Sequence, residues 1–275
     1  MAPRVVLSIA GSDSSGGAGL EADLATFGAL GAHGAVAVTA VTAQNTVGVT
    51  AVLAVEPEMV LAQVEAVTSD LEVAAVKTGM LARPATVLVI AKLAATGVLP
   101  NLVVDPVLVS STGHLLMEDG GVNAYREELL AHAVVATPNL RETALLVGTD
   151  VGALDTVGAM ADAGRALLSL GPRCVVVKGG HLLAGAATAS RAPDVVVSAD
   201  GVVTLDGPRV NTRNDHGTGC SLAAAIAVGL AEGREAIDAV RSAKAYVLGA
   251  LQGAVSWRLG TGHGPIDHFG WGADT

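Results

Sequence analysis

Val5-Val6-Leu7-Ser8-Ile9-Ala10 runs into Gly11-Ser12-Asp13-Ser14-Ser15-Gly16-Gly17-Ala18-Gly19, after which Leu20, Leu24 and Phe27 share one helical face. A continuous apolar run reads as a strand covered on both faces, the glycines turn the chain, and the three-to-four spacing returns it as a helix. The alternation continues outward from there. Ala35 to Val41 is a second strand, and Val60, Val64, Val67 and Leu71 form a helical stripe before the strand-like Val73 to Val76. A helix around Val87, Ile90 and Ala94 leads to Leu102-Val103-Val104. Val122, Arg126 and Leu129 precede Val134-Val135, and Val157, Met160, Gly164 and Leu167 precede Cys174 to Val177. Val195 to Val197 and Val202 to Thr204 flank Ala199-Asp200-Gly201, a hairpin signal. Leu222 to Leu230, then Ile237, Val240, Val247 and Leu251, make the final third helical. No linker, charge block or repeat intervenes. The pattern predicts one domain over residues 1–275: α/β, with a three-layer, doubly wound, mostly parallel sheet, helices on both faces and a small late β-hairpin.

Composition narrows the function. The 275 residues carry 16 Lys+Arg against 26 Asp+Glu, a formal net charge of −10, and aromatics are 2%. An acidic, apolar, aromatic-poor chain is neither disordered nor a coat for nucleic acid. Any phosphate site must therefore be built locally. Two cysteines, Cys174 and Cys220, make no disulfide framework, so a reducing compartment is expected. Val5 to Ala10 is shorter than a secretory apolar core. Leu24 to Val55 lacks charged side chains but is broken by Gly28, Gly31, His33, Gly34 and Gln44-Asn45-Thr46, so no span of about 20 apolar residues survives. The expectation is a soluble, cytoplasmic protein with neither membrane nor nucleic acid as partner.

Ligands of a doubly wound sheet bind beyond the carboxyl ends of its strands. The first such loop matches GxxxxG, but Gly17 and Ala18 stand where a Walker loop carries Lys and Ser/Thr. Gly17-Ala18-Gly19-Leu20-Glu21-Ala22 also fits GxGxxA. The ribose acid of a dinucleotide site is missing, because the second strand ends in Thr42-Ala43-Gln44-Asn45-Thr46 and the next acid is Glu56. A plain glycine-rich turn is the alternative. Asp23, beside the buried helix face, is either hydrogen-bonded structurally or reaches a ligand at the helix start. Gln44 offers a donor and an acceptor in one plane, suited to a heteroaromatic edge; alone it is a loop amide.

Asn214-Asp215-His216-Gly217-Thr218-Gly219-Cys220-Ser221 enters the apolar helix Leu222 to Leu230 directly. Gly217 and Gly219 let successive N–H groups converge on an anion, and the helix dipole adds positive potential. Cys220 at the helix start is expected to have a lowered thiol pKa and to serve as base or nucleophile; a helix cap with a small buried thiol is the bland alternative. Lys77 and Lys178 follow strands directly. Asp105 and Glu142 are carboxylates on neighbouring loops, able to hold magnesium through water. His216 and His263 read as structural, and Cys174 as core.

Jointly, Ser8 to Gly19, Thr42 to Thr46, Lys77-Thr78-Gly79-Met80-Leu81, Asp105-Pro106-Val107, Thr137-Pro138-Asn139, Val177 to His181, His216 to Cys220 and Gly262-His263-Gly264-Pro265 resemble the hydroxymethylpyrimidine/phosphomethylpyrimidine kinases. These are thiamine-biosynthesis members of the ribokinase-like superfamily, and the resemblance spans nearly the whole chain. It implies two successive phosphoryl transfers from ATP with magnesium (Mg2+), first to the alcohol of 4-amino-5-hydroxymethyl-2-methylpyrimidine and then to its monophosphate. By motif, it implies that Gln44 reads the pyrimidine, with Gly11, Asp23, Met80 and Val107 shaping the pocket. Gly217, Thr218 and Gly219 form the anion hole and Cys220 is the base. Asn139, Lys178 and Lys244 serve ATP, Asp105 and Glu142 the metal, and the family habit is a homodimer. Leu108 stands where many relatives carry Met, and Ser110 and Ser111 lie near a position where they carry Lys. Cysteine at 220, where sugar kinases carry Asp, favours the pyrimidine and pyridoxal branch. Pyridoxal kinase is the nearest rival; a nicotinamide-dependent oxidoreductase and a non-catalytic pyrimidine sensor are the others.

Overall fold

The structure, a computed structural model, describes residues 2–109, 116–180 and 190–272; Ser110, Ser111 and His181 lie outside them. In chain order the elements are β1 (Val5–Ser12), α1 (Gly19–Ala29), β2 (His33–Gln44), β3 (Val49–Ala54), α2 (Pro57–Thr68), β4 (Val73–Thr78), α3 (Pro84–Ala95), β5 (Val103–Val104) and α4 (Gly121–Ala124). They continue with β6 (Val135–Ala136), α5 (Leu140–Val147), α6 (Val157–Leu168), β7 (Cys174–Val177), β8 (Asp194–Ser198), β9 (Gly201–Leu205), α7 (Thr218–Ala231) and α8 (Ala236–Gly253). One sheet runs in the order β3-β2-β1-β4-β5-β6-β7-β8-β9. From β2 to β7 all neighbours are parallel, whereas β3, β8 and β9 pair antiparallel.

Strict alternation along the strands feeds two cores. Leu7, Ile9, Val76, Val104, Val175 and Val177 point to the face covered by α2, α3, α5 and α6. Val6, Ala75, Val103, Val135 and Val176 point to the face covered by α1, α7 and α8. This is the doubly wound, mostly parallel sheet that the continuous apolar runs predict, and the late hairpin is β8–β9. No helix among the described residues is long and apolar enough to cross a membrane.

Three elements differ from expectation. β3, which gave no strand signal, is an edge strand with Val52 and Leu53 exposed, so it has no buried face to write a pattern. The helix expected through Val122 and Leu129 is a single α-turn followed by a wide π-turn over Tyr125–Leu129 and a tight turn over Leu130–His132. Tyr125 and Leu129 are both fully enclosed there. Leu71 lies past the end of α2 and not on its stripe.

Candidate active site

A cavity of about 1190 Å³ opens along the carboxyl ends of the parallel strands. Of the residues singled out from the sequence as site residues, all but Asp23 line it. The turn Gly217-Thr218-Gly219-Cys220 lines it. Gly217 sits at φ 84°, and a Cβ there would overlap Gly17 O, so only glycine lets the two loops meet. α7 starts at Thr218 without a side-chain cap, and the N–H groups of Gly219 and Cys220 have no acceptor among the described residues. They are therefore free for an anion at the positive end of a 14-residue helix. A Cβ on Gly219 would lie 3.1 Å from Lys178 Nζ, which brings that ammonium to the same turn.

Cys220 departs from its expected titration. Burial pushes the thiol up, to about 11; Lys77 and the Gly19 N–H pull it down, while Asp23 and Asp105 push it further up. Helix-start potential is real but acts on a group the fold has desolvated, and desolvation wins.

Asp23, expected to shape the pocket, is instead fully buried beneath it. Lys77 Nζ donates to both of its oxygens at 2.8 and 2.7 Å, and Ser8 Oγ donates to Oδ2 at 2.5 Å. Burial alone would lower the Lys77 ammonium, but the Asp23 carboxylate, with Cys220 and Asp105 beyond it, holds it above its ordinary range. Asp23 thus acts on the site through Lys77, which does line the cavity.

Beside the turn, Lys178 Nζ donates to Asp105 Oδ1 at 2.7 Å, as does Thr137 Oγ1 at 3.0 Å. Asn139 and Glu142 lie at the start of α5 and not on a free loop. Each caps the other, Glu142 N donating to Asn139 Oδ1 at 2.9 Å and Asn139 N to Glu142 Oε2 at 2.8 Å. Burial pushes the Glu142 carboxyl up to about 8, helped by Asp105 and opposed by Lys178. No group of three or more His, Cys, Asp or Glu among the described residues is placed to hold a metal. Two cavity-lining carboxylates nonetheless fit magnesium, which keeps water ligands and takes the rest from substrate phosphates. Lys244, on α8, is paired with Asp194 Oδ2 at 2.6 Å and donates to Ala192 O at 2.8 Å.

At the other end, Gln44 N and Ser14 Oγ, and Ser14 Oγ and Gln44 O, exchange hydrogen bonds of 2.8 Å. Met80 closes the wall, packed with Ala40 and Ala82, with Val107 against them, and its methyl lies over Gly11.

Sequence reasoning missed one pair. Asp13 accepts from Ser15 N at 2.9 Å, Ser15 Oγ at 2.8 Å and Ala18 N at 2.9 Å, so the glycine-rich loop spends its donors on its own carboxylate. His216 Nε2 adds a contact of 2.8 Å. Burial would raise the Asp13 carboxyl; the bonds from His216 and Ser15 outweigh it and hold it below its ordinary value. Asp13 lies in the quoted loop and His216 next to Gly217, but nothing local signals a contact between residues so distant in the chain.

Residues 262–268 strap these loops together. Gly262 N and His263 N donate to Thr46 Oγ1 and O at 3.2 and 2.8 Å, His216 N donates to Gly264 O at 3.0 Å, and His268 Nε2 lies 2.9 Å from Ser221 Oγ. His263, read as structural, pairs with Asp215 at 2.7 Å.

The family model described as phosphomethylpyrimidine kinase matches residues 13–267. The chain belongs to the phosphomethylpyrimidine kinase family. It is 49% identical over 266 residues to the hydroxymethylpyrimidine/phosphomethylpyrimidine kinase of Rhizobium meliloti, covering 96% of this chain and 97% of that one. A phosphomethylpyrimidine kinase from Clostridium difficile superposes with TM-score 0.77 at 37% identity, over 90% of this chain and 99% of that one. A pyridoxal kinase from Staphylococcus aureus, solved with AMP-PCP and pyridoxal, superposes with TM-score 0.87 at 32% identity, over 98% and 95%. Family members thus share the ribokinase-like sheet described above.

Proposed function

We propose that this chain is an ATP-dependent kinase that phosphorylates 4-amino-5-hydroxymethyl-2-methylpyrimidine and then its monophosphate, in thiamine biosynthesis. The observation that carries the reading is the placement of Gln44, the Gly217–Cys220 turn and Lys178 around one cavity. Gln44 holds the ring edge and points the hydroxymethyl group at the turn. Cys220, as its thiolate, takes the hydroxyl proton as the γ-phosphoryl group passes from ADP to the alcohol oxygen, and the free N–H groups of Gly219 and Cys220 donate to its oxygens and stabilise the charge spread over them. The second transfer is to a phosphate oxygen, so it leans on the turn and Lys178 more than on the base.

Asp105 and Glu142 are the residues that would hold magnesium, which supplies positive charge across the ATP phosphates when bound. Asn139, Lys178 and Lys244 serve the nucleotide side, Lys244 by buttressing the wall through Asp194. Residues 1–275 act as one kinase domain in the cytoplasm, and exposed Val52 and Leu53 on edge strand β3 support a homodimer.

Phosphorus NMR of products after incubation with ATP, magnesium and the pyrimidine alcohol tests the reading. Monophosphate followed by diphosphate is expected, and no phosphorylated pyrimidine would refute it. The similarity to pyridoxal kinases gives the second reading, and faster turnover of pyridoxal than of the pyrimidine in the same assay would establish it.

A further inference from the structure

Alternation along β4 puts Ala75 on the sheet face covered by α1, α7 and α8, Val76 on the other, and Lys77 back on the first. The side chain is fully buried there. An ammonium has three N–H donors, and the two oxygens of Asp23, on α1, take one each at 2.8 and 2.7 Å. The third has no acceptor among the described residues, although Lys77 lines the cavity. A Cβ on Gly79 would lie 2.9 Å from Nζ, so glycine keeps the space beside the ammonium clear. α7 packs on the same face and brings Cys220 in its first turn. Each group feels the other's charge: Lys77 pulls the thiol down, and Cys220 helps hold the ammonium above its ordinary range. A buried ion pair is a poor device for stability alone, because apolar side chains of similar volume fill the same space without the cost of desolvation.

We infer, on the reading of Cys220 as the base, that Lys77 is the counter-ion of the Cys220 thiolate, held charged and in place by Asp23. Cys220 must give up its own proton before it can take one from the hydroxyl, and desolvation opposes that step. Asp23 and Asp105 oppose it as well. Two cations favour it. Lys178 is bonded to Asp105 at 2.7 Å and is partly open to solvent, which screens its charge. Lys77 is fully buried, keeps an unspent donor, and weighs more on the thiol than any other charged group. Lys77 is thus a positioning residue, and its effect falls on how much of Cys220 is ionised at a given pH.

The test is the rate of Cys220 alkylation by iodoacetamide, without substrate, in a Cys174→Ala background with and without the double change Asp23→Leu, Lys77→Met. The double variant strands no charge. Losing a nearby cation raises the thiol pKa by about one unit or more, which cuts the thiolate ~tenfold per unit. The more basic thiolate reacts faster and returns about half of that on a logarithmic scale, so labelling at about pH 8 is expected to be ~3-fold or more slower in the variant. A purely structural pair predicts the opposite sign, since a loosened fold exposes the thiol and speeds labelling. Equal or faster labelling in a variant with the wild-type urea midpoint overturns the counter-ion. Should the variant be loosened or fail to fold, nitrogen-15 NMR of Lys77 Nζ decides. Its signal is expected to move as Cys220 ionises toward about pH 11 and to lose that movement in Cys220→Ala; the same titration in both proteins overturns the counter-ion. Wild-type turnover in Cys220→Ala overturns the base reading instead, and leaves the labelling comparison to judge Lys77 alone.

Discussion

Cys220 is predicted to titrate late, and the consequence is measurable without any substrate. Its burial lifts the thiol to about 11, against about 8.5 for an ordinary cysteine. At about pH 8 the thiolate is then ~0.1% of the population, where an exposed cysteine has about a quarter, so alkylation should be ~200-fold slower on this count alone. The difference corresponds to ~3 kcal/mol of preference for the neutral thiol. In a Cys174→Ala background, iodoacetamide labelling followed by mass spectrometry should show rates climbing ~tenfold per pH unit from about pH 7 to pH 10 without a plateau. Because the charged form of a thiol is the deprotonated one, a raised pKa makes the base scarce at neutral pH. Initial rates of alcohol phosphorylation should therefore rise over the same window. A labelling plateau at or below about pH 8.5 would refute the reasoning, since it would mean that Lys77 and the α7 dipole outweigh burial after all.

Cys220→Ala should cut alcohol phosphorylation by ~10²–10⁴ while ATP binding by calorimetry survives, and unchanged turnover would remove the thiol from the chemistry. Lys178→Met should slow diphosphate formation more than monophosphate formation, because a unit charge at 4 Å is worth ~4 kcal/mol at an effective dielectric of 20 and the second step carries the extra phosphate; equal slowing of the two product time courses would assign Lys178 to ATP alone. Lys77→Met strands the buried Asp23 carboxylate and should cost ~3–5 kcal/mol in urea unfolding, most of it regained in the double variant Asp23→Leu, Lys77→Met; a loss below ~1 kcal/mol would show that the pair is not desolvated. Glu142, pushed up to about 8, must lose its proton to bind a cation. Magnesium-ATP affinity should therefore strengthen as pH rises through that value and lose the dependence in Glu142→Gln; the same pH dependence in the variant would take Glu142 out of the metal site.

Much of this was readable in the sequence for a single reason: strands covered on both faces are continuous apolar runs, so β1, β4 and β7 announce themselves and mark their carboxyl ends. Gln44, Asp105 and Lys178 stand at such ends, whereas the turn at Gly217 is legible from its glycines and the apolar helix that follows. β3 was silent because an edge strand with exposed Val52 and Leu53 has no face to bury. Cys220 was misjudged because its neighbours in sequence reveal a helix start and say nothing of the groups the fold packs around the thiol. Asp23 was placed one layer too high, since a carboxylate on the rim of a helix face looks alike whether it meets a ligand or Lys77. Asp13 and His216 stayed hidden because their contact spans most of the chain.

The strap of residues 262–268 has a consequence for how the protein comes into being. It fastens the loop after Gln44 to the anion turn, yet it is synthesised roughly two hundred residues after that loop, at ~5–20 residues per second. For ~10–40 s the first half of the pocket waits on the ribosome without its fastening. During that interval neither pyrimidine nor ATP can help hold the nascent sheet together, because the place where they meet does not yet exist.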